Sequence, residues 1–302
     1  MQVSIIIPTK DRAAVFEKTL QAAVQATAHL QCQIIVVNDS KESIPDVPKS
    51  VLLISNPGRG VAAARNAGAK LAAAPLLLFL DNDILISKES MDHTLATHQQ
   101  LTNACVNPDW VYPQALQKQL SKTSFGRFLK ANKMTTFEGW YGKAWKMNQL
   151  FQSESVASFH LSILKNDFER IGGYTENFPH AGFEDYDFPK RLKEAGLNFY
   201  IDSRIQVLHN EEDRMDVDNW LNNQQRRAET RRVAVAMGYS ELIITYAPWK
   251  VMILQFVNRT WAFWRAGLGL VAWGTIVDAL YRKYISLLVA ARIFKGYKLN
   301  KP

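Results

Sequence analysis

Short apolar runs alternate with helical patterns over the first hundred residues. Four runs have the length and aliphatic content of buried strands: Val3 to Ile7, Gln33 to Val37, Val51 to Ile54 and Leu76 to Leu80. Apolar residues at helical spacing predict helices over Ala13 to Ala28 and Val61 to Ala73. Strands joined by helices favour parallel crossovers, so we expect an α/β fold whose sheet is mostly parallel, with helices on both faces.

The pattern becomes regular again after residue 165. It predicts helices over Lys165 to Ile171, Phe183 to Ala195 and about 217 to 237. It predicts short strands over Asn198 to Ile201 and Ile205 to Leu208. Between about 104 and 165, tryptophans and tyrosines mix with polar residues and no period stands out. We interpret this middle segment as loops that face an acceptor.

From residue 239 onward, aliphatic residues and tryptophans are interrupted by Lys and Arg. The longest uncharged stretch, Ala266 to Val277, is shorter than the roughly 20 residues that span a bilayer. We predict a tail of amphipathic helices that lie in the membrane interface. Packing of the apolar faces on the preceding domain or on another subunit is the alternative.

Charge strengthens this view of the tail. The chain has a formal net charge of +8, and residues 239 to 302 contain nine Lys or Arg against two acidic residues, a net charge of +7. Basic residues confined to one segment suit an anionic surface. Because they are interleaved with aliphatic runs, we expect a membrane and no nucleic acid as the partner.

Cys32 and Cys105 are too few for a disulfide framework and fit a reducing compartment. The first apolar run ends at Pro8 and lacks both a basic leader and a cleavage site, so we expect no signal peptide. The expected location is cytoplasmic, peripheral on the inner face of the plasma membrane.

Polar residues follow three of the predicted strands, where ligands of open α/β sheets bind. They are Pro8 to Arg12, Asn38 to Ser40 and Asp81 to Asp83. Asp81 and Asp83 stand two residues apart after a buried strand and are expected to point to the same side. Such oxygen ligands suit Mg²⁺ or Mn²⁺ bound with a nucleoside diphosphate. A turn rich in Asx residues is the alternative.

Two further segments could carry chemistry. Gly58 to Gly60 precede a helix N-terminus, where phosphate is favoured, although an ordinary turn is the alternative. Glu184 and Asp185 open a helix, and either could act as the general base for an acceptor hydroxyl. Their alternative is simple complementation of the helix dipole. His209 follows an apolar run and could complete a metal site, or be an ordinary surface or core histidine.

The order and spacing of these motifs resemble the family 2 glycosyltransferases of GT-A fold over about residues 3 to 210. The matching segments are Ser4 to Thr9, Val37 to Ser40, Gly60 with Arg65 to Gly68, Leu80 to Asp83, Ile171 to Tyr174 and Gly182 to Asp185. The resemblance implies that Asp185 is the catalytic base and Glu184 its neighbour at the acceptor site. It also implies a metal held by Asp83, Asp81 and His209, with Asp83 as the direct ligand.

The resemblance implies a nucleotide-sugar site as well. Its expected residues are Pro8, Thr9, Asp11, Arg12, Asp39, Gly60, Arg65, Asn66, Asp81 and Asn82. Two departures bear on the activity. Asn38-Asp39 replaces the frequent Asp-Asp pair, and Gln224 to Ala228 has the Gln and Arg of the processive motif without its Trp. A processive polymerase is therefore disfavoured.

We therefore expect a non-processive, metal-dependent, inverting glycosyltransferase that uses Mn²⁺ or Mg²⁺ and a nucleoside-diphosphate sugar, with a UDP-sugar favoured. The acceptor is a saccharide or a lipid-linked hydroxyl, which suits cell envelope polysaccharide synthesis. Residues 1 to 215 would form the catalytic domain, with its nucleotide-sugar half at about 1 to 100 and its acceptor half at 101 to 215, and 216 to 302 the tail. A homo-oligomer is compatible with this sequence. The rivals are a nucleotidyltransferase with the same paired carboxylates and a non-catalytic nucleotide-sugar-binding protein.

Overall fold

The structure, a computed structural model, describes residues 1–41, 45–213, 215–271 and 278–299. These residues form two compact units. The first comprises Met1–Pro113, Thr136–Asn177 and Glu184–Glu211. The second comprises Gln114–Thr135, Phe178–Phe183 and the described residues from Glu212 onward. Trp273, Lys301 and the end of the uncharged stretch up to Val277 lie outside the described residues.

The strands all belong to the first unit. They are β1 (Val3–Thr9), β2 (Cys32–Asn38), β3 (Val51–Ser55), β4 (Leu76–Leu80), β5 (Ile84–Leu85), β6 (Ala104–Val111), β7 (Leu150–Ser153), β8 (His160–Leu164) and β9 (Asn198–His209). Its helices are α1 (Ala13–Thr27), α2 (Gly60–Leu71), α3 (Lys88–Gln100), α6 (Phe137–Tyr141), α7 (Lys165–Arg170) and α8 (Glu184–Glu194). The helices of the second unit are α4 (Gln114–Ser121), α5 (Ser124–Ala131), α9 (Val217–Ala236), α10 (Pro248–Arg259), α11 (Trp261–Val271) and α12 (Asp278–Phe294).

The four strands predicted from the first apolar runs lie side by side in the order β3-β2-β1-β4, and all are parallel. β1 and β4 are buried along their whole length, which requires cover on both faces of the sheet. Their mostly apolar sequences, VSIIIPT and LLLFL, match this burial. The carboxyl ends of β1, β2 and β4 therefore meet at one edge, as the sequence predicts.

The sheet as a whole is mixed, so the expectation of a mostly parallel sheet is wrong beyond β4. β8 pairs antiparallel with both β4 and β6, whereas β6 pairs parallel with β9, and β5 and β7 pair antiparallel with β9. The polar residues His160 and Ser162 in β8 and Asn107 in β6 are buried in the sheet. The Asn107 amide and the Ser162 hydroxyl donate to backbone carbonyls, whereas neither ring nitrogen of His160 has a hydrogen-bond partner among the described residues. Because polar residues interrupt these two strands, neither shows the continuous apolar run from which a buried strand is predicted.

The middle segment also contains more regular structure than the predicted loops. β6, α4, α5, α6, β7 and β8 all lie within it. The two predicted strands near residue 200 are one strand, β9, which continues through Asp202 to Arg204. There the Arg204 guanidinium donates to both oxygens of Asp202, at 2.7 Å each, and the register against β6 shifts. Local satisfaction of these polar groups permits the strand to continue.

Close packing fixes α2 against the parallel strands. Ile6 and Val37 share a buried cluster with Ala64 of α2. A Cβ added at Gly68 would lie only 2.4 Å from Cγ2 of Ile6, so a larger residue cannot be accommodated without movement. This contact holds the N-terminal half of α2, with Arg65, close to the ends of β1 and β2.

The second unit is helical and is held by its own contacts. Trp220 of α9 packs edge-on against Phe125 and Phe128 of α5. Arg127 of α5 makes a bidentate pair with Asp278 of α12, at 2.8 and 2.9 Å. Among the helices that the structure describes, none combines the length and apolar character needed to cross a bilayer.

Candidate active site

The turn after β4 sends the carboxylates of Asp81 and Asp83 to different partners. The Asp81 N–H donates to the carbonyl of Phe159 at 2.9 Å, and the Ile84 N–H donates to the carbonyl of Asp81 at 3.1 Å. The Asp83 carbonyl accepts from the N–H of Asn210 at 2.6 Å. These three bonds fix the backbone on both sides of Asn82.

Asp81 belongs to a buried ion-pair cluster around Arg65. The Arg65 guanidinium donates to Oδ1 of Asp81 at 2.6 Å and to Oε1 of Glu184 at 3.3 Å. It also lies 5.2 Å from the ring centroid of Tyr174. Burial raises the pKa of Asp81, and Arg65 opposes that shift, while Asp83 and Asp185 raise it further. The three aspartates are therefore close enough to influence one another.

Asp83 lies among partners from three other segments. Nη1 of Arg12 donates to Oδ2 of Asp83 at 2.6 Å and to Oδ1 of Asn82 at 2.9 Å. Nε2 of His209 lies 3.5 Å from Oδ1 of Asp83 and 3.8 Å from Oε1 of Glu211. The amide of Asn82 donates in turn to the hydroxyl of Thr9 at 3.2 Å. The end of β4 is thereby connected to the ends of β1 and β9.

Asp83, His209 and Glu211 offer a donor set that fits a divalent cation. One ligand atom from each residue lies within 4.8 Å of the other two. Carboxylate oxygens suit Mg²⁺ and Mn²⁺, and an imidazole nitrogen is a ligand for first-row transition metals. Burial would lower the pKa of His209, but the carboxylates of Glu211 and Asp83 outweigh burial and raise it to about 9. A divalent cation bound here would take the place of the imidazole proton that these carboxylates stabilise.

The surroundings of His209 and Glu211 hold both side chains in place. The Trp110 ring meets the His209 imidazole edge to face, with centroids 4.9 Å apart, and Nδ1 of His209 is buried without a hydrogen-bond partner. The Tyr112 hydroxyl donates to Oε2 of Glu211 at 2.7 Å. Sequence reasoning missed Glu211, although residues 209 and 211 have the same two-residue spacing as Asp81 and Asp83.

Both carboxylate oxygens of Asp39 accept hydrogen bonds from other residues of the protein. Its Oδ1 accepts from the side chain of Asn56 at 2.6 Å and from the N–H of Gly60 at 3.0 Å. Its Oδ2 accepts from Nζ of Lys10 at 3.2 Å, and its own N–H donates to the carbonyl of Thr9 at 2.8 Å. Gly60 has a φ of +84°, a conformation that favours glycine at the start of α2.

Three further residues were predicted at the nucleotide-sugar site: Asn66, Pro8 and Asp11. The Asn66 amide donates to the carbonyl of Tyr174 and accepts from its N–H, both at 2.8 Å, so this side chain ties α2 to the segment before α8. Pro8 is inside β1, opposite Val37. Asp11 is exposed and has a φ of +50° in the turn before α1.

Glu184 and Asp185, at the start of α8, face different environments. Glu184 is buried beside Arg65, whereas Asp185 is exposed. Oδ1 of Asp185 accepts from the N–H of Ser158 at 2.9 Å, and the hydroxyl of Tyr174 donates to that of Ser158 at 3.2 Å. An exposed carboxylate whose orientation is set by a backbone donor is suited to take a proton from a bound molecule.

The family model described as "Glycosyl transferase family 2" matches residues 4–170. A second model, described as "N-terminal domain of galactosyltransferase", matches residues 145–211. Among curated proteins, a validoxylamine A glucosyltransferase of Streptomyces hygroscopicus subsp. jinggangensis is 27% identical over 224 residues, which cover 65% of this chain and 52% of that protein. The chain thus spans about half the length of this relative.

Two solved structures share the fold. The mannosyltransferase PcManGT of Pyrobaculum calidifontis, in complex with GDP-Man and Mn²⁺, is 15% identical with a TM-score of 0.57, covering 99% of this chain and 88% of the other. GalNAc-T7, with UDP, GalNAc and Mn²⁺, is also 15% identical, with a TM-score of 0.52, and covers 69% of this chain and 43% of the other.

Proposed function

This chain belongs to glycosyl transferase family 2, and from that membership we propose that it moves a sugar from a nucleoside-diphosphate sugar to a hydroxyl of a saccharide or lipid-linked acceptor. The observation that supports this most is the placement of Asp185. It is exposed, oriented by the Ser158 N–H, and close enough to Asp81 to shift the pKa of that residue. A UDP-sugar is the favoured donor, and the reaction is non-processive.

We propose that Asp185 accepts the proton of the acceptor hydroxyl as its oxygen attacks the anomeric carbon. The bond from that carbon to the diphosphate breaks in the same displacement, so the configuration inverts. Arg65 pairs with both Glu184 and Asp81 beside the base, which limits the movement of α8 relative to β4. The bond from Ser158 holds one oxygen of Asp185 in place.

Asp83, His209 and Glu211 are the residues that would hold Mn²⁺ or Mg²⁺. A divalent cation in such a site offsets the negative charge that a leaving diphosphate acquires. The two solved relatives of the fold were both determined with Mn²⁺, which supports this assignment. Asp81 as a further ligand stays a prediction, because its carboxylate pairs with Arg65.

The experiment is a panel of UDP-, GDP- and dTDP-sugars, each incubated with the full chain and Mn²⁺ or Mg²⁺. Metal-dependent release of a nucleoside diphosphate from one donor is the expected result. Release of pyrophosphate from a nucleoside triphosphate and a sugar phosphate would instead identify a nucleotidyltransferase. Binding of a donor without any turnover, with and without added saccharide acceptors, would identify a non-catalytic binding protein.

We also propose that the basic tail places the enzyme on the inner face of the plasma membrane, where lipid-linked acceptors for envelope saccharides are found. The net charge of +7 over residues 239 to 302 supports this location.

A further inference from the structure

One face of α10 exposes large apolar side chains. Trp249, Met252, Ile253 and Phe256 are 60%, 71%, 46% and 59% exposed, respectively. They stand at positions i, i+3, i+4 and i+7, so they form one continuous stripe along the helix. Isolated exposed apolar residues are ordinary, but a stripe of four along one helix indicates an interaction surface.

The stripe is not needed to hold α10 in the second unit. Leu254 and Val257 are buried instead, and the Asn258 amide donates to the carbonyl of Ala291 in α12 at 2.9 Å. α10 is therefore anchored by its other face. The apolar stripe remains available to a partner that offers apolar surface.

A cleft of about 220 Å³ lies beside the stripe. It is lined by Gln255, Asn258, Arg259 and Lys295. Within the described residues, neither Arg259 nor Lys295 is joined to an acidic group. On α10, Gln255 is three residues from Met252, and Arg259 is three residues from Phe256, so the cleft borders the stripe directly.

We propose that α10 is the element by which the chain docks on a bilayer of anionic phospholipid. The stripe enters the boundary between headgroups and acyl chains, and Arg259 and Lys295 bind a lipid phosphate in the cleft. This inference deepens the proposed membrane contact of the tail and rests on it. A cationic cleft beside an apolar stripe matches an amphiphile that has an anionic head, whereas a protein surface would not require both features together.

The test measures cosedimentation of the full chain with phosphatidylcholine vesicles, with and without phosphatidylglycerol. Met252→Glu places a charge in the stripe and is expected to weaken binding to the anionic vesicles at least roughly tenfold. Met147→Glu is the matched control, because Met147 is 74% exposed in the first unit and lies outside the stripe. Its binding should equal that of the parent.

A second pair of variants tests the cleft. Replacing both Arg259 and Lys295 by Gln is expected to remove most of the preference for phosphatidylglycerol, whereas Lys118→Gln with Lys122→Gln, two exposed lysines of the same unit, should remove much less of it. Donor binding by all variants should match the parent, so a failure of the proposed transfer activity would be recognised separately.

The possible outcomes separate clearly. If the parent binds neither kind of vesicle, the membrane contact itself is lost and α10 with it. If the parent binds and Met252→Glu binds equally well, only the role of α10 is overturned. A parent dimer that becomes a monomer in Met252→Glu, with vesicle binding unchanged, would show that the stripe joins two copies of the chain and would also overturn the proposal.

Discussion

The two carboxylates of Asp81-Asn82-Asp83 lie in contrasting parts of the site. Asp81 is on the side of the buried Arg65, whose single guanidinium also pairs with Glu184, so the cation there is part of the protein itself. Asp83 is on the side of His209 and Glu211, where carboxylates raise the pKa of the imidazole to about 9. The Arg12 guanidinium also lies on that side and contacts the Asp83 carboxylate at 2.6 Å.

This difference separates two roles that the motif alone cannot distinguish. On the Arg65 side, the cation is a residue of the protein, so this part of the site keeps its structure without a ligand. Loss of Arg65 should therefore lower the free energy of unfolding. On the Asp83 side, the carboxylates stabilise an imidazole proton that a divalent cation can replace, so changes there should alter metal binding. A variant on the Arg65 side that weakens metal binding, or one on the Asp83 side that lowers the free energy of unfolding, would contradict this division of roles.

The largest effect on stability is expected from Arg65→Met. Asp81 and Glu184 would remain in a buried cluster without their cation, so the free energy of unfolding should fall by about 3 kcal/mol. Urea unfolding measures this. The control is Arg170→Met. The Arg170 side chain is half exposed, so its pair with Asp167 should contribute about 1 kcal/mol or less to the free energy of unfolding. Equal losses in the two variants would contradict the structural role of Arg65.

Glu211→Gln should act on metal instead. Removing one of the three donors should weaken Mn²⁺ binding roughly 10- to 100-fold, with little change in unfolding. Electron paramagnetic resonance of free Mn²⁺, without donor present, provides the measurement. Glu212→Gln serves as the neighbouring control, and Asp81→Asn should weaken binding less than Glu211→Gln. The reverse order of those two variants would place the metal on the Arg65 side.

The carboxylate of Asp109, in β6, is buried, and no basic side chain among the described residues pairs with it. Burial raises its pKa to about 6, although Gln206 donates to it. The native state therefore keeps the proton at pH values where the unfolded chain has lost it, so stability falls as pH rises from the ordinary value of 3.8 towards 6. Asp109→Asn should raise the free energy of unfolding by roughly 1–2 kcal/mol at neutral pH.

That gain should disappear in acid, below the pKa of the unfolded chain, because Asp109 is then protonated in both states. Urea unfolding at the two pH values checks the prediction. A gain that is equal at both would assign the effect of the substitution to packing.

The smallest effect is expected from Arg12→Met. Without its guanidinium, Asp83 has one competitor fewer, so Mn²⁺ binding in the absence of donor should tighten by roughly three- to tenfold. Lys10→Met is the control, since Lys10 pairs with Asp39 and is more than half exposed. Weaker Mn²⁺ binding in Arg12→Met would show that Arg12 positions Asp83 for the metal.

The part of the fold that the sequence predicts is the part with uniform patterns. β1 and β4 are buried throughout and are built around the apolar runs Ile5 to Ile7 and Leu76 to Leu80. The helices α1, α8 and α9 begin and end within about two residues of their predicted limits. β6 and β8 escape prediction because buried polar residues such as Asn107 and Ser162 interrupt their apolar character. Each is satisfied only by a distant partner, since Asn107 donates to the carbonyl of His160 and Ser162 to that of Val106.

The site shows the same limit. Its motifs indicate which strand ends meet, because chain order and spacing are enough for that. They do not indicate that Arg65 would pair with Asp81 and Glu184, 16 and 119 residues away. Glu211 was missed because nothing in its own segment, apart from its spacing from His209, marks it as a ligand. Charge pairing across the fold decides these roles.

Cleavage of a nucleoside-diphosphate sugar with Asp185 as general base is tested most directly by donor hydrolysis, with water in place of the acceptor. Proton NMR then gives the anomeric configuration of the first sugar released. We predict inverted sugar from the parent and from Glu194→Gln, an exposed acid of the same helix. In Asp185→Asn, hydrolysis should fall roughly 10²- to 10⁴-fold while donor binding is kept. Retained configuration, or undiminished hydrolysis by Asp185→Asn, would contradict this mechanism.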